Sequence, residues 1–188
     1  GFARAGWGVT LLHATDAVVP DPALPIERRP FTTFNELGVL LAETLSAGSY
    51  DAAVHLAAVS DYDIDHVVID GRTVAADPGG KLDTGDTMAV HLKRNPKLLR
   101  TLKTLGGDQL VGVGFKLTNG ADAEQRRAAV RSVSFGTFFV VHTAATEKGD
   151  DVHRATIYRG DDVVATAGNN AELAVALVRA ITGQTGAN

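Results

Sequence analysis

Apolar residues in this chain recur in two rhythms: short β-rich runs, and longer stretches repeating every three to four residues. Trp7-Gly8-Val9-Thr10-Leu11-Leu12 is the first short run, and a connection through Pro20, Pro22 and Pro25 follows it. Residues 26–31 form a second short strand. Thr33 opens a helix, because Glu36 three residues on completes a capping box, and Phe34, Leu37, Leu41 and Leu45 share one face. Residues 51–59 are apolar nearly throughout, which predicts a strand covered on both faces. Val67-Val68-Ile69, the turn Asp70-Gly71 and Thr73-Val74-Ala75 read as a hairpin, with another strand over 88–92. Asn95-Pro96 starts a helix whose apolar face is Leu98, Leu99, Leu102 and Leu105, and Gly106-Gly107 stop it. Strands over 110–115 and 138–141 flank a helix over 122–133. A second hairpin joins 156–158 to 163–165 across Gly160-Asp161. Asn169 and Glu172 then cap a last helix that buries Leu173, Leu177 and Ile181.

Strands alternating with amphipathic helices predict parallel pairing through right-handed crossovers. The expected fold is therefore α/β, a Rossmann-like, doubly wound and mostly parallel sheet. Residues 63–92 form a β-hairpin insertion upon it. No repeat or linker divides the chain, so residues 1–188 read as one domain. Gly1 to Gly6 read as the last turn of a helix, so the domain is expected to be incomplete at its amino end.

Twenty-two acidic residues against eighteen Lys and Arg leave a net charge of −4, the wrong sign for a nucleic-acid partner. No apolar run reaches the roughly 20 residues of a membrane span, so no membrane partner is expected. Zero cysteines exclude disulfides, thiolate metal sites and a cysteine nucleophile, and fit the cytoplasm. The six histidines lack metal-ligand spacing, and no metal-binding residues are assigned. His55 and His91 fall inside strands, where a hydrogen-bonded structural role is expected. Gly112-Val113-Gly114 lacks the third glycine of a dinucleotide fingerprint, and no phosphate loop or serine elbow is present.

Ligands of such folds sit beyond the carboxyl ends of the strands. Ala57 and Ala58 would let a flat ligand approach the backbone there, and Asp61 offers acceptors to a base or ribose, or else caps a turn. Lys81, in a glycine-flanked loop, is either a solvated lysine or a mobile cation that closes over phosphates. Arg127 and Arg131, four apart, project from one helix face and suit a polyphosphate, or simply form a solvated face. Asn95, Pro96, Lys97 and Leu98 at a helix start offer donors to an anion, as any helix start does.

In this order the pieces resemble the phosphopantothenoylcysteine synthetase family, in its stand-alone bacterial form. The matching segments are Ala57-Ala58-Val59-Ser60-Asp61-Tyr62, Gly80-Lys81-Leu82, Lys93-Arg94-Asn95-Pro96-Lys97-Leu98-Leu99, Val113-Gly114-Phe115-Lys116-Leu117 and His153-Arg154-Ala155. The resemblance implies a ligase of coenzyme A biosynthesis. CTP or ATP, with Mg2+, activates the carboxylate of 4′-phosphopantothenate, and the amine of cysteine attacks the acyl-nucleotidylate. It further implies that Ala57 and Asp61 contact base or ribose. Asn95, Pro96, Lys97, Leu98, Phe115, Arg127 and Arg131 line the nucleotide pocket, and Lys81 is catalytic. The hairpin insertion would pair two subunits into a homodimer. Two departures stand out. The family's opening strand, Gly-Gly-Thr loop and Asn-bearing segment are missing before Gly1, and its Ala-Asn-Asp is here His142-Thr143-Ala144. Residues 1–188 alone are therefore expected to bind nucleotide weakly and to make no product. The rival readings are a non-catalytic or differently selective nucleotide-binding homologue, and an unrelated nucleotide-linked oxidoreductase.

Overall fold

The computed structural model describes residues 1–75, 81, 84–134, 138–145 and 154–185. They divide into two compact units, Gly1–Ala57 with Leu98–Asn188, and Ala58–Lys97. The first unit opens on a 3-10 turn, Ala3–Ala5, closed by Gly6 at φ 86°, the helix-end geometry expected there. Strand β1 (Val9–Ala14) pairs in parallel with β2 (Ile26–Phe31) as a two-stranded sheet. Helix α1 (Phe34–Ala47) starts on the expected capping box: Glu36 N–H donates to Thr33 Oγ1 at 3.2 Å, and Thr33 N–H donates to Glu36 at 3.1 Å. It buries Leu37 and Leu45.

The five-stranded sheet has the order β10-β9-β8-β7-β3. Its members are β3 (Ala52–His55), β7 (Val111–Thr118), β8 (Phe139–Ala144), β9 (Ala155–Arg159) and β10 (Asp162–Ala167). β3, β7 and β8 run parallel, while β9 and β10 form the antiparallel hairpin. Helix α4 (Asn170–Thr185) buries Leu173, Leu177 and Ile181 with Val113, Phe139, Val141 and Ile157. Helix α3 (Ala123–Ser134) packs against β7 and β8. Leu102 of α2 (Leu98–Gly106) joins Leu45 and Leu110 in a second cluster. The α/β, Rossmann-like architecture is as expected. No helix of the described residues is long and apolar enough to cross a membrane.

The second unit is an antiparallel sheet, β5-β4-β6, of β4 (Tyr62–Ile69), β5 (Arg72–Ala75) and β6 (Met88–Arg94). Asp70 and Gly71 make its turn at φ 48° and 77°, both in the left-handed region that a tight two-residue hairpin demands.

Three expectations need correction. The strand over 51–59 is only Ala52–His55, and Val54 and Leu56 are 40% and 64% exposed. Among the described residues β3 bonds a neighbour on one edge only, so its apolar run is not enclosed there. Helix α2 begins at Leu98 rather than at Asn95-Pro96. The residue before a proline is pushed out of helical backbone, and the Asn95 amide is spent elsewhere, as shown below. β1 starts at Val9 and runs on to Ala14, two residues past the expected strand.

Candidate functional site

In the second unit, register fixes the first group of candidate residues. Tyr62 pairs with Arg94, which brings the segment before β4 beside the segment after β6. Asn95 is buried there and ties the two together. Its backbone N–H donates to the Asp61 carbonyl at 2.9 Å, and its Nδ2 donates to the Ser60 carbonyl at 3.1 Å. Lys97 Nζ forms a salt bridge with Asp61 Oδ1. The two side chains are 51% and 60% exposed, so water and salt screen the pair and it adds little to stability. Pro96, between Asn95 and Lys97, is exposed, and Lys81, elsewhere in the chain, is also exposed. The loop residues 76–80 and 82–83 lie outside the described residues.

In the first unit, parallel pairing brings the carboxyl ends of β3, β7 and β8 to one edge. Ala57 lies exposed two residues past β3. Phe115 is half-buried against the main core, with Val141 as its register partner on β8. Lys116 pairs with His142, whose Nε2 lies 2.9 Å from Thr118 Oγ1 and whose ring meets Tyr158 edge-on. His142 and Thr143 are buried, so the segment that departs from the family pattern is built into the sheet edge. Asp122 caps α3 by accepting from Gln125 N–H at 2.8 Å. Arg127 and Arg131 then project four residues apart, both exposed, and Arg131 reaches Asp161 at 3.3 Å. Leu98 is buried at the start of α2.

Sequence spacing could not have found three of these features. Asp61 and Lys97 stand 36 positions apart, and Thr118 and His142 stand 24 apart. His91, expected to be hydrogen-bonded, instead stacks on the ring of His66, its register partner. Elsewhere in the hairpin, Thr87 N–H donates to the Asp70 carboxylate at 3.0 Å and its hydroxyl at 3.1 Å. These bonds hold the Asp70 carboxyl below its ordinary range and pin the turn to the start of β6. Burial lowers the His55 imidazole below its usual value. No group of three or more His, Asp or Glu placed to hold a metal occurs among the described residues.

Residues 1–184 match the family described as DNA/pantothenate metabolism flavoprotein C-terminal domain. None of the curated proteins matches the sequence. Among solved structures, the DNA/pantothenate metabolism flavoprotein from Streptococcus pneumoniae superposes with a TM-score of 0.83 at 20% identity. That match covers 97% of this chain and 83% of the other. The C-terminal domain of the coenzyme A biosynthesis bifunctional protein CoaBC gives 0.64 at 18%, covering 100% and 81%. A Cab2 mutant in complex with phosphopantothenate-cysteine gives 0.61 at 18%, covering 86% and 53%.

Proposed function

Because this chain belongs to the family of the DNA/pantothenate metabolism flavoprotein C-terminal domain, we propose that it is a cytoplasmic phosphopantothenate–cysteine ligase using CTP. A carboxylate oxygen of 4′-phosphopantothenate attacks the α-phosphorus of the nucleotide and pyrophosphate leaves. The cysteine amine then attacks the acyl carbon and expels the nucleoside monophosphate. The observation that carries this reading is the family match along residues 1–184, which spans every segment named for the resemblance.

In this reading Asp61 exchanges Lys97 for the base or ribose, and Asn95 keeps its segment in place for that exchange. Pro96, Lys97, Leu98, Phe115 and Ala57 shape the nucleotide pocket, and Arg127 and Arg131 offer paired guanidinium donors to phosphate oxygens. Lys81 meets the charge that develops at the α-phosphate, where a positioned cation helps most in the transition state. The described residues hold no carboxylate cluster for a magnesium ion. In this reading the magnesium ion would arrive with the triphosphate, held by phosphate oxygens and water.

The hairpin unit supports a homodimer. Ile64 pairs with Leu92, and Val67 pairs with both Val74 and Val90, so these side chains and Met88 share one face. Ile64, Val74, Met88, Val90 and Leu92 are 38–58% exposed, an apolar surface that a second copy of the chain would cover. A further reading concerns the first unit, where β1 and β3 each bond one neighbour. An open cleft of about 700 Å³ is lined by Gly6 to Thr10 and Ser49 to Ala52, at the starts of these two strands. One more parallel strand there would join the two sheets into one.

The test uses Lys81→Gln. Pyrophosphate release with CTP and 4′-phosphopantothenate should fall by roughly a hundredfold, while nucleotide affinity changes far less. Equal pyrophosphate release by the variant and the parent removes Lys81 from the reaction.

A further inference from the structure

We propose that His66 and His91, on the hairpin face opposite the apolar one, form a binding site for an imidazole-preferring divalent cation such as Zn2+ or Ni2+. The site rests on a β-bulge. Ile64 pairs with Leu92, yet His66 pairs with His91, so Asp65 is the extra residue on β4. The bulge turns His66 over to the face of His91, away from the apolar face that Ile64 shares with Leu92. The two rings lie parallel within 10°, with centroids 4.3 Å apart.

Asp65 completes the arrangement. Its Oδ2 lies 2.9 Å from His66 Nδ1, and this bond holds the Asp65 carboxyl below its ordinary range. A carboxylate on Nδ1 keeps the ring proton there and leaves Nε2 as a lone-pair donor, the second partner that metal-binding histidines normally have. Among the described residues, neither ring nitrogen of His91 has a hydrogen-bond partner, so it too can ligate. Two nitrogens at about 2.1 Å from a tetrahedral ion stand roughly 3.4 Å apart with both ring planes pointing at it, so the two rings must swing out of their parallel stack, about their side-chain bonds, to share one ion. Water fills the remaining positions, which makes the ion exchangeable. Imidazole selects Zn, Ni or Cu over Mg, which prefers oxygen ligands. The charges near the pair are Asp63, Asp65 and Lys93. Asp63 and Lys93 pair in register, and Lys93 also acts on Asp65. A bound ion would bridge β4 and β6, the strands whose far ends carry Asp61 and Lys97.

The site is independent of the ligase reading, and its test needs no turnover. Untagged, full-length protein is titrated with ZnCl2 while the histidine ring nitrogens are followed by NMR. The expected result is that Nε2 of His66 and a ring nitrogen of His91 shift together, below about one equivalent in excess. His13, His55 and His142 should stay still, and MgCl2 should move neither ring of the pair. His66→Gln or His91→Gln should each weaken Zn2+ binding at least tenfold, and Asp65→Asn about tenfold with both rings intact. Circular dichroism of each variant verifies the fold. Unshifted rings in the parent protein, or full Zn2+ affinity in the folded double variant, overturns the proposal.

Discussion

Strands β8 and β6 read alike and end up in opposite environments. Phe139-Val140-Val141-His142-Thr143-Ala144 is buried at all six positions, and Met88-Ala89-Val90-His91-Leu92-Lys93-Arg94 is exposed at all seven. Both carry a histidine at the fourth place. β8 is paired on both edges and packed by α3, and its inward side chains meet α4. Among the described residues β6 is an edge strand bonded only to β4. Burial is therefore set by neighbours rather than by composition. The first unit encloses β8 in its core, while the second leaves the apolar side chains of β6 exposed.

That division can be broken at its strongest point first. Phe139 is 1% exposed in the main core, and Phe139→Ala should cost about 3–5 kcal/mol in chemical denaturation. A loss below about 1 kcal/mol would mean that β8 is not the centre of the core. Leu92→Asp, on the exposed strand, should leave monomer stability within about 0.5 kcal/mol. It should also abolish the proposed homodimer in sedimentation or light scattering. A dimer that survives would locate the subunit contact elsewhere.

Asp61→Asn tests the charged end of the second unit. It should weaken nucleotide binding by roughly 1–3 kcal/mol in calorimetry with little change in melting temperature, because its partner Lys97 is half exposed. A large drop in unliganded stability with unchanged affinity would make the Asp61–Lys97 pair structural.

The smallest effect belongs to His55 on β3. Burial favours its neutral form and lowers its pKa from 6.5. The stability this gives is fully present above about pH 6.5 and is lost as pH falls through the lowered value. His55→Gln should flatten the stability profile below about pH 6.5. An unchanged slope would assign the acid sensitivity to other groups.

Much of the fold was legible because it is encoded locally. Thr33 with Glu36, Asn169 with Glu172, and Asp70-Gly71 each define a cap or turn within four residues, and all three fold as the sequence predicts. The length of β3 was not legible. Residues 51–59 have the composition of an enclosed strand, yet only one edge of β3 is paired. The start of α2 was misplaced because the Asn95 amide bonds Asp61, a partner beyond any local window. The candidate site was readable as types of residue, but not as pairs. Asp61 with Lys97, and His142 with Thr118, are joined by strand register. His66 meets His91 through one extra residue at a bulge, which no spacing rule reveals.

The ligase reading is tested most directly by mass spectrometry of the product. The protein is incubated with 4′-phosphopantothenate, cysteine, magnesium and either CTP or ATP. It should form phosphopantothenoylcysteine, faster with CTP, with one pyrophosphate released per product. Omitting cysteine should stop product formation while the nucleotide still binds. Tight CTP binding with no product from either nucleotide would contradict the assignment and leave a nucleotide-binding homologue in its place.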